Sequence, residues 1–183
     1  MDSTAILFNK EGLLFSRVAQ NQYRLTFNIQ NNNIVLARII DFSLIKLIFD
    51  LNTDIYERVN VTPVSETEVV ATLLMKHLFE DLGLAQRFSH IRVTKAVEER
   101  SIIFNSQSIK GVRPEGMPVD AEPVAIRELT CACNIVTPHT IAFVVDVTFD
   151  QATTIPQFVE KIVGTVLFKI FSRVKQFIEN VRL

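Results

Sequence analysis

The feature that most constrains the fold is a run of regularly spaced apolar residues in the middle of the chain, in residues 65–93. Ser65 and Glu68 have the spacing of a capping box, in which serine and glutamate satisfy amides of the first helical turn. Gly83 is a typical residue after a helix C-terminus. Between them, side chains recur at the spacing of one helical face, at Val69, Val70, Leu73, Leu74, His77, Leu78 and Leu82. The pattern predicts a helix over residues 65–82, followed by a strand.

The same pattern returns 89 residues later in the chain. The offset carries the apolar face onto a second helical pattern at Thr154, Phe158, Val159, Ile162, Val163, Val166, Leu167 and Phe171. It also pairs residues 13–15 with residues 102–104, and Arg38 with Arg127. A period of about half the chain predicts two pseudo-symmetric units, residues 1–89 and residues 90–183.

Each half is predicted to be a set of antiparallel strands followed by a helix, which is an α+β class. The last helix is predicted to begin with Thr154 as N-cap and to extend to about Val181. The predicted strands cover residues 23–29, 34–40, 44–51 and 55–62, and then 90–97, 101–104, 123–133 and 140–149. A sheet covered by helices on one face leaves its other face available for a ligand or partner.

Composition limits the classes of function. The chain has 183 residues, of which 48% are apolar, and no apolar run reaches the roughly 18 residues of a membrane span. Because no signal peptide is recognisable, we expect an intracellular protein. The net charge of −1 opposes nucleic-acid binding by bulk electrostatics. No catalytic motif is found, so we expect neither an enzyme nor a bound cofactor.

The cysteines and histidines do not predict a metal site. Cys131 and Cys133 alternate along a predicted strand, and we assign them to opposite faces, which would exclude both a disulfide and a shared metal. The three histidines, His77, His90 and His139, lack the spacing of metal ligands.

Several short segments resemble the TATA-box-binding protein family in order and spacing. These are Arg38 and Ile39 with Asp41, then Leu47, Ile48 and Phe49, then the strand ends Val61–Thr62 and Val147–Thr148, then Leu82, Gly83 and Leu84, and finally Arg87, Phe88, Ile91, Arg92 and Val93. The resemblance covers most of the chain. It implies a saddle of two repeats, each a curved antiparallel sheet with long helices on the convex face.

The resemblance also implies a transcription initiation factor that binds A·T-rich promoter DNA in the minor groove. Phe49 would wedge a base step with help from Pro138, and the other DNA-binding residues would be Arg38, Thr62, Lys95, Arg127 and Thr148. Lys161, Lys169 and Arg173 would face general transcription factors and the RNA polymerase machinery. The location would be the nucleus, or a viral factory or virion for a viral gene, and no small-molecule substrate is expected.

Three of the family's four intercalating phenylalanines are missing, at positions near Asn32, Ala121 and Pro138. Two alternatives therefore stay open. In one, the saddle is a protein-interaction module with weak or no DNA binding. In the other, the duplication is dropped and the C-terminal helix lies on a curved antiparallel sheet as a helix-grip fold. That fold would enclose an apolar ligand pocket lined by Phe158, Ile162 and Phe171.

Overall fold

A computed structural model describes residues 4–151 and 155–182 of the chain. Ten strands and two α-helices account for most of these residues. The strands are β1 (Ala5–Lys10), β2 (Leu13–Ala19), β3 (Gln22–Gln30), β4 (Tyr56–Ser65), β5 (Glu68–Met75), β6 (Arg87–Val97), β7 (Ser101–Ser108), β8 (Glu122–Pro123), β9 (Ile126–Thr137) and β10 (Thr140–Phe149). The helices are α1 (Ser43–Asp50) and α2 (Gln157–Asn180), with short 3₁₀ turns at Leu36–Arg38 and Glu80–Leu82.

All ten strands belong to one sheet. Its order is β1-β2-β3-β10-β9-β7-β6-β5-β4, with the two-residue β8 pairing with β6. Every pair is antiparallel except β6 with β8. The pairing of β3 with β10 joins the first strands of the chain to its last strands.

The central strands form because their apolar residues alternate with polar ones. In β3, Tyr23, Leu25, Phe27 and Ile29 are buried, whereas the residues between them face outward. The prediction of a strand over residues 23–29 is therefore confirmed. The prediction over residues 140–149 is confirmed as β10.

Helix α2 lies over β1, β2 and β3. It approaches closely at Gly164, where an added methyl group would lie 3.4 Å from Phe8 Cδ1 and 3.6 Å from Phe15 Cδ1. Further along the helix, Phe168 contacts Phe8 edge-on at 5.6 Å and Phe171 contacts Phe27 at 5.5 Å between ring centroids. The long C-terminal helix is confirmed, although its predicted N-cap, Thr154, lies outside the described residues.

The C-terminal end of α2 is fixed by a side chain from the opposite end of the sequence. The buried Asn31 amide donates to the carbonyl of Ile178 at 2.6 Å and to that of Val181 at 2.8 Å. The last carbonyls of a helix have no partner within the helix, so these bonds satisfy groups that burial would otherwise penalise. His139 in turn holds this loop, with Nδ1 2.8 Å from the carbonyl of Ile34.

The predicted helix over residues 65–82 is wrong, because this segment forms the β4–β5 hairpin. Ser65 Oγ accepts from the amide of Thr67 at 3.2 Å, so the serine stabilises a tight turn rather than a helix start. In β5, Val69 and Ala71 are buried while their neighbours are half-buried, which is the alternation of a strand. Gly83 does adopt a left-handed conformation, at φ 69°, but it ends only a single 3₁₀ turn.

The predicted strand over residues 44–51 is also wrong, because it forms α1. Its apolar residues Leu44, Ile45, Leu47 and Ile48 have helical spacing, and the Asp41 carboxylate accepts from the Ser43 amide at 2.7 Å at the helix start. Residues 34–40 form a loop with a 3₁₀ turn instead of a strand.

The saddle of two repeats is wrong as well. The described residues form a single sheet with one long helix, α2, rather than two units that each end in a long helix. The boundary expected between residues 89 and 90 lies inside β6. The division of the chain into residues 1–89 and 90–183 stays a prediction.

Gly164 provides a test of how α2 packs. We expect Gly164→Ala to raise the free energy of unfolding by about 0.5–1 kcal/mol, because alanine favours the helix and its methyl fits at ordinary contact distance. Gly164→Leu should lower it by about 1–3 kcal/mol, because the larger side chain must displace Phe8 and Phe15. Urea unfolding measures both values. Equal stability of the two variants would show that α2 does not approach β1 and β2 this closely.

Candidate functional site: an open groove beside the C-terminal helix

The candidate site is the part of the helix-facing sheet surface that α2 leaves uncovered. Helix α2 packs over β1 to β3, and α1 packs against β4 and touches α2. Between them, apolar side chains of β6, β9 and β10 point to the helix-facing side but stay only half-buried. These are Ile91, Leu129, Cys131, Val145 and Val147. We call the space above these five residues the open groove.

The register of the sheet places the floor of the groove in rows across the strands. Val93 pairs with Ser106, Ser106 with Leu129, and Leu129 with Val147. Residues paired in this way point to the same side of a sheet. Among these four residues, Ser106 supplies a hydroxyl and the other three side chains are apolar.

Lys95 extends the polar part of the floor. It lies on β6 two residues after Val93 and so shares the helix-facing side. Its ammonium lies 5.3 Å from the centre of the Phe42 ring, just before α1, and Phe42 contacts Phe104 edge-on at 5.8 Å. The Lys95 ammonium therefore lies over one aromatic ring, that of Phe42, at one edge of the groove.

A buried charged cluster lies under the first turns of α2. The carboxylate of Glu160 is 4% exposed and accepts from Arg17 Nη1 at 3.0 Å and from the Tyr23 hydroxyl at 2.7 Å. Burial raises the pKa of Tyr23 well above its ordinary value, and the hydrogen bond to Glu160 raises it further. This cluster positions α2 on the sheet without leaving a buried charge unpaired.

The assignment of the two cysteines to opposite faces is wrong. Residues two apart on a strand point to the same side, and Cys131 and Cys133 have their sulfur atoms 3.9 Å apart on the helix-facing side of β9. The contact with Cys131 and burial both raise the pKa of the Cys133 thiol far above its ordinary value. Neutral thiols are poor nucleophiles and poor metal ligands. Among the described residues no group of metal-binding side chains is found.

The residues predicted to bind DNA do not form one surface. Thr62 pairs with Val70 and Thr148 with Gln22, which places both on the sheet face away from the groove, whereas Lys95 faces it. Phe49 lies on α1 with its ring 6.4 Å from Tyr56, and Arg38 lies in the 3₁₀ turn. Pro138 is in the β9–β10 turn, where its carbonyl accepts from the Leu36 amide.

Arg127 and Thr148 are close together, at a small surface depression of about 230 Å³. Polar side chains from the β2–β3 turn and the end of β10 line most of it: Gln20, Asn21, Gln22 and Gln151, together with Phe149. The depression lies at the end of the sheet and is too small and polar to hold a duplex.

Two of the three residues predicted to bind protein partners make ion pairs within the chain. Lys169 and Arg173 both bind Asp54, in the loop between α1 and β4, and Arg173 also donates to Asn52 Oδ1 at 3.0 Å. The hydrogen bonds from Arg173 and then Lys169 hold the pKa of Asp54 well below its usual range. Lys161 is exposed.

The pocket residues expected for a helix-grip fold are placed differently from the prediction. Phe158 is 54% exposed, and Phe171 packs on Phe27 in the core. Ile162 is half-buried. The residues that line the open groove instead come from the sheet. Sequence reasoning missed them because it assigned these strands correctly in outline but could not tell which face α2 would leave uncovered.

No family model and no curated protein matches this sequence. Solved structures do match over nearly the whole chain. The human StarD13 lipid transfer and protein localization domain has a TM-score of 0.70 and 9% identity, over 99% of this chain and 91% of that chain. Human StAR-related lipid transfer protein 5 has a TM-score of 0.69 and 13% identity, over 97% of this chain and 87% of that chain.

A bacterial structure agrees with them. The STAR-related lipid transfer protein of Xanthomonas axonopodis has a TM-score of 0.66 and 10% identity, over 97% of this chain and 99% of that chain. At these identities the likeness establishes the fold, which is the helix-grip fold of a curved sheet with a C-terminal helix.

The resemblance to the TATA-box-binding protein is therefore wrong, because the chain shares the topology of structures named as lipid-transfer proteins or domains. Promoter DNA, general transcription factors and RNA polymerase were expected only through that resemblance, and these partners are withdrawn with it. The same correction applies to the expectation that no small molecule binds. The nuclear location stays a prediction. In the described part of the chain, no helix has the length and apolar character needed to cross a membrane.

The Tyr23 hydroxyl should contribute measurably to stability. We expect Tyr23→Phe to lower the free energy of unfolding at neutral pH by about 1.5–3 kcal/mol, because a hydrogen bond to a carboxylate is lost while the ring still stacks on Phe15. Chemical unfolding measures this value. Tyr56→Phe is the control, since the Tyr56 hydroxyl makes no hydrogen bond with the described residues. Equal losses in the two variants would contradict the role of the Glu160 contact.

The raised pKa of Tyr23 also predicts a dependence on alkaline pH. The protonated Tyr23 hydroxyl contributes fully to the free energy of unfolding below the pKa of an unfolded tyrosine, about 10. This contribution is lost as pH rises through the higher pKa of the folded state. As pH rises above about 10, the free energy of unfolding should therefore fall less in Tyr23→Phe than in the wild type.

Asp54 provides the corresponding test in acid. Because its pKa is lowered in the folded state, its stabilising effect is present above the unfolded value of about 4 and is lost as pH falls through the folded value. We expect Asp54→Asn to lower the free energy of unfolding at neutral pH by about 1 kcal/mol or less, since the carboxylate is half-exposed. The variant should also lose less of its free energy of unfolding than the wild type as pH is lowered below about 4. Asp50→Asn, which breaks only an exposed pair with Lys46, should leave that acid dependence nearly unchanged.

Proposed function

We propose that this protein binds one small amphipathic or apolar molecule, such as a single lipid, in the open groove. The observation that carries the proposal is the set of half-buried apolar side chains on the helix-facing side of β6, β9 and β10, in a region that α2 does not cover. Apolar surface of this kind is stabilised when a ligand removes it from water.

The fold supports the same proposal. Three solved structures with this topology carry lipid transfer in their names. The sequence contains no catalytic motif. Near the groove, the Glu160 carboxylate is paired with Arg17, and the pKa of the Cys133 thiol is raised away from its reactive thiolate form. We therefore propose binding rather than catalysis.

The main driving force would be burial of the ligand's hydrocarbon. Each methylene transferred from water contributes about 0.8 kcal/mol, which corresponds to about a fourfold change in affinity. Affinity for a series of straight-chain ligands should therefore rise by about that factor per methylene until the groove is filled. A polar ligand would show no such dependence.

The groove can be blocked by one substitution. We expect Leu129→Phe to reduce the amount of bound lipid at least severalfold, because the larger ring would fill the space above the floor between Ser106 and Val147. The measurement is native mass spectrometry after incubation with phosphatidylcholine vesicles that contain fatty acid, monoacylglycerol and sterol, which reports the mass and number of retained molecules.

Glu128→Phe is the matched control. Glu128 is the preceding residue of β9, is exposed, and points away from the groove, so this variant adds the same ring without blocking it. Wild type and Glu128→Phe should retain one lipid each. Failure of the wild type to retain any lipid, or equal retention by all three proteins, would contradict the proposed function.

A further inference from the structure

Two polar groups on the floor of the open groove, Ser106 and Lys95, have no hydrogen-bond or ion-pair partner among the described side chains. Ser106 is only 4% exposed and lies between Val93 and Leu129 on the helix-facing side. Its hydroxyl makes no hydrogen bond with any described residue. Yet no unpaired side-chain oxygen or nitrogen in the described part of the chain is sealed from solvent. The Ser106 oxygen therefore keeps some contact with solvent.

The second group is the ammonium of Lys95. It is half-buried and has no carboxylate partner among residues 4–151 and 155–182. Its ammonium lies 5.3 Å from the centre of the Phe42 ring, and this contact supplies no counter-charge. A cation placed beside apolar surface without an anion is unfavourable unless something else pairs with it.

The sheet register brings these two groups together. Lys95 pairs with Phe104, and Ser106 is the next residue on the same side of β7, which makes it the diagonal neighbour of Lys95. Diagonal neighbours are about 7–8 Å apart at their Cα atoms, within reach of a long side chain. A ligand atom above Ser106 can therefore accept from the hydroxyl and from the ammonium.

We propose that Ser106 and Lys95 bind the carboxylate of a single-chain fatty acid whose hydrocarbon lies along Leu129 and Val147. This inference rests on the proposed function and adds the chemistry of the polar end. One unpaired ammonium balances one negative charge, which matches a carboxylate better than a phosphate monoester with its charge of about −1.5 to −2. The apolar residues that continue the floor match an alkyl chain.

The two residues should have separable effects on binding. Wild type should bind myristic acid about tenfold more tightly than myristyl alcohol, because only the acid pairs with Lys95. Lys95→Met keeps the length of the side chain and removes its charge, so it should weaken binding of the acid to the level of the alcohol and leave the alcohol unchanged. Ser106→Ala should weaken both ligands severalfold, since the hydroxyl can bond to either oxygen.

The experiment is isothermal titration calorimetry of each protein with each ligand below its critical micelle concentration. Lys76→Met is the charge control, because Lys76 is exposed and outside the groove. Gln107→Ala is the control for β7, because Gln107 is exposed on the opposite face. Thermal unfolding checks that every variant is folded, and Lys95→Gln replaces Lys95→Met if the latter is unstable.

The outcomes distinguish the two proposals. A preference for the acid that disappears in Lys95→Met, but not in Lys76→Met, supports the carboxylate site. Equal binding of acid and alcohol by wild type, or an acid preference that survives in Lys95→Met, overturns the carboxylate site while the groove stands. Binding of neither ligand by wild type overturns the carboxylate site, whereas retention of no lipid at all from the mixed vesicles overturns the proposed function as well.

Discussion

The pairing of β3 with β10 is the interaction on which the rest of the structure depends. It joins strands more than a hundred residues apart, from Gln22–Thr148 to Gln30–Thr140, and so connects the first three strands to the remainder of the sheet. The rings of Phe27 and Phe143 stack across this pair at 4.9 Å between centroids, in the centre of the core. Without it, α2 would have three strands to cover but no continuous floor beside them. Because ordering such a long loop costs entropy before any contact forms, this pairing must be supported by extensive apolar burial.

The position of α2 explains why the groove exists. Close approach at Gly164 and the bonds of Asn31 at the other end fix the helix over β1 to β3. The buried Glu160 also fixes the rotation of α2 about its axis, because its carboxylate must reach both Arg17 and Tyr23. A helix held this firmly on one side of a wide sheet cannot also cover the strands beyond β10. The apolar floor there is consequently left uncovered by α2.

Much of the fold could be predicted from local pattern, and the errors have a common physical cause. Strands β3 and β10 and the long helix α2 were recognised because the apolar spacing of each fits either the two-residue repeat of a strand or the 3.6-residue repeat of a helix, but not both. The segments that form β5 and α1 are short apolar runs whose spacing fits both the strand repeat and the helix repeat. Their secondary structure is therefore set by tertiary contacts. The 89-residue offset paired one helix, α2, with the β4–β5 hairpin, and it suggested a saddle of two helix-ending repeats that the topology does not contain.

The candidate site was harder to predict than the fold because no residue type marks it. Leu129, Val147 and Ser106 are ordinary strand residues, and they become a site only when β7, β9 and β10 are adjacent and α2 stops short of them. Lys95 did carry a signal, since a lysine on the buried side of a strand is unusual, but sequence analysis named it only as a DNA-binding residue implied by the resemblance. In the structure the Lys95 ammonium lies over the Phe42 ring beside apolar residues, a setting that suits a charge attached to hydrocarbon better than the backbone of a duplex.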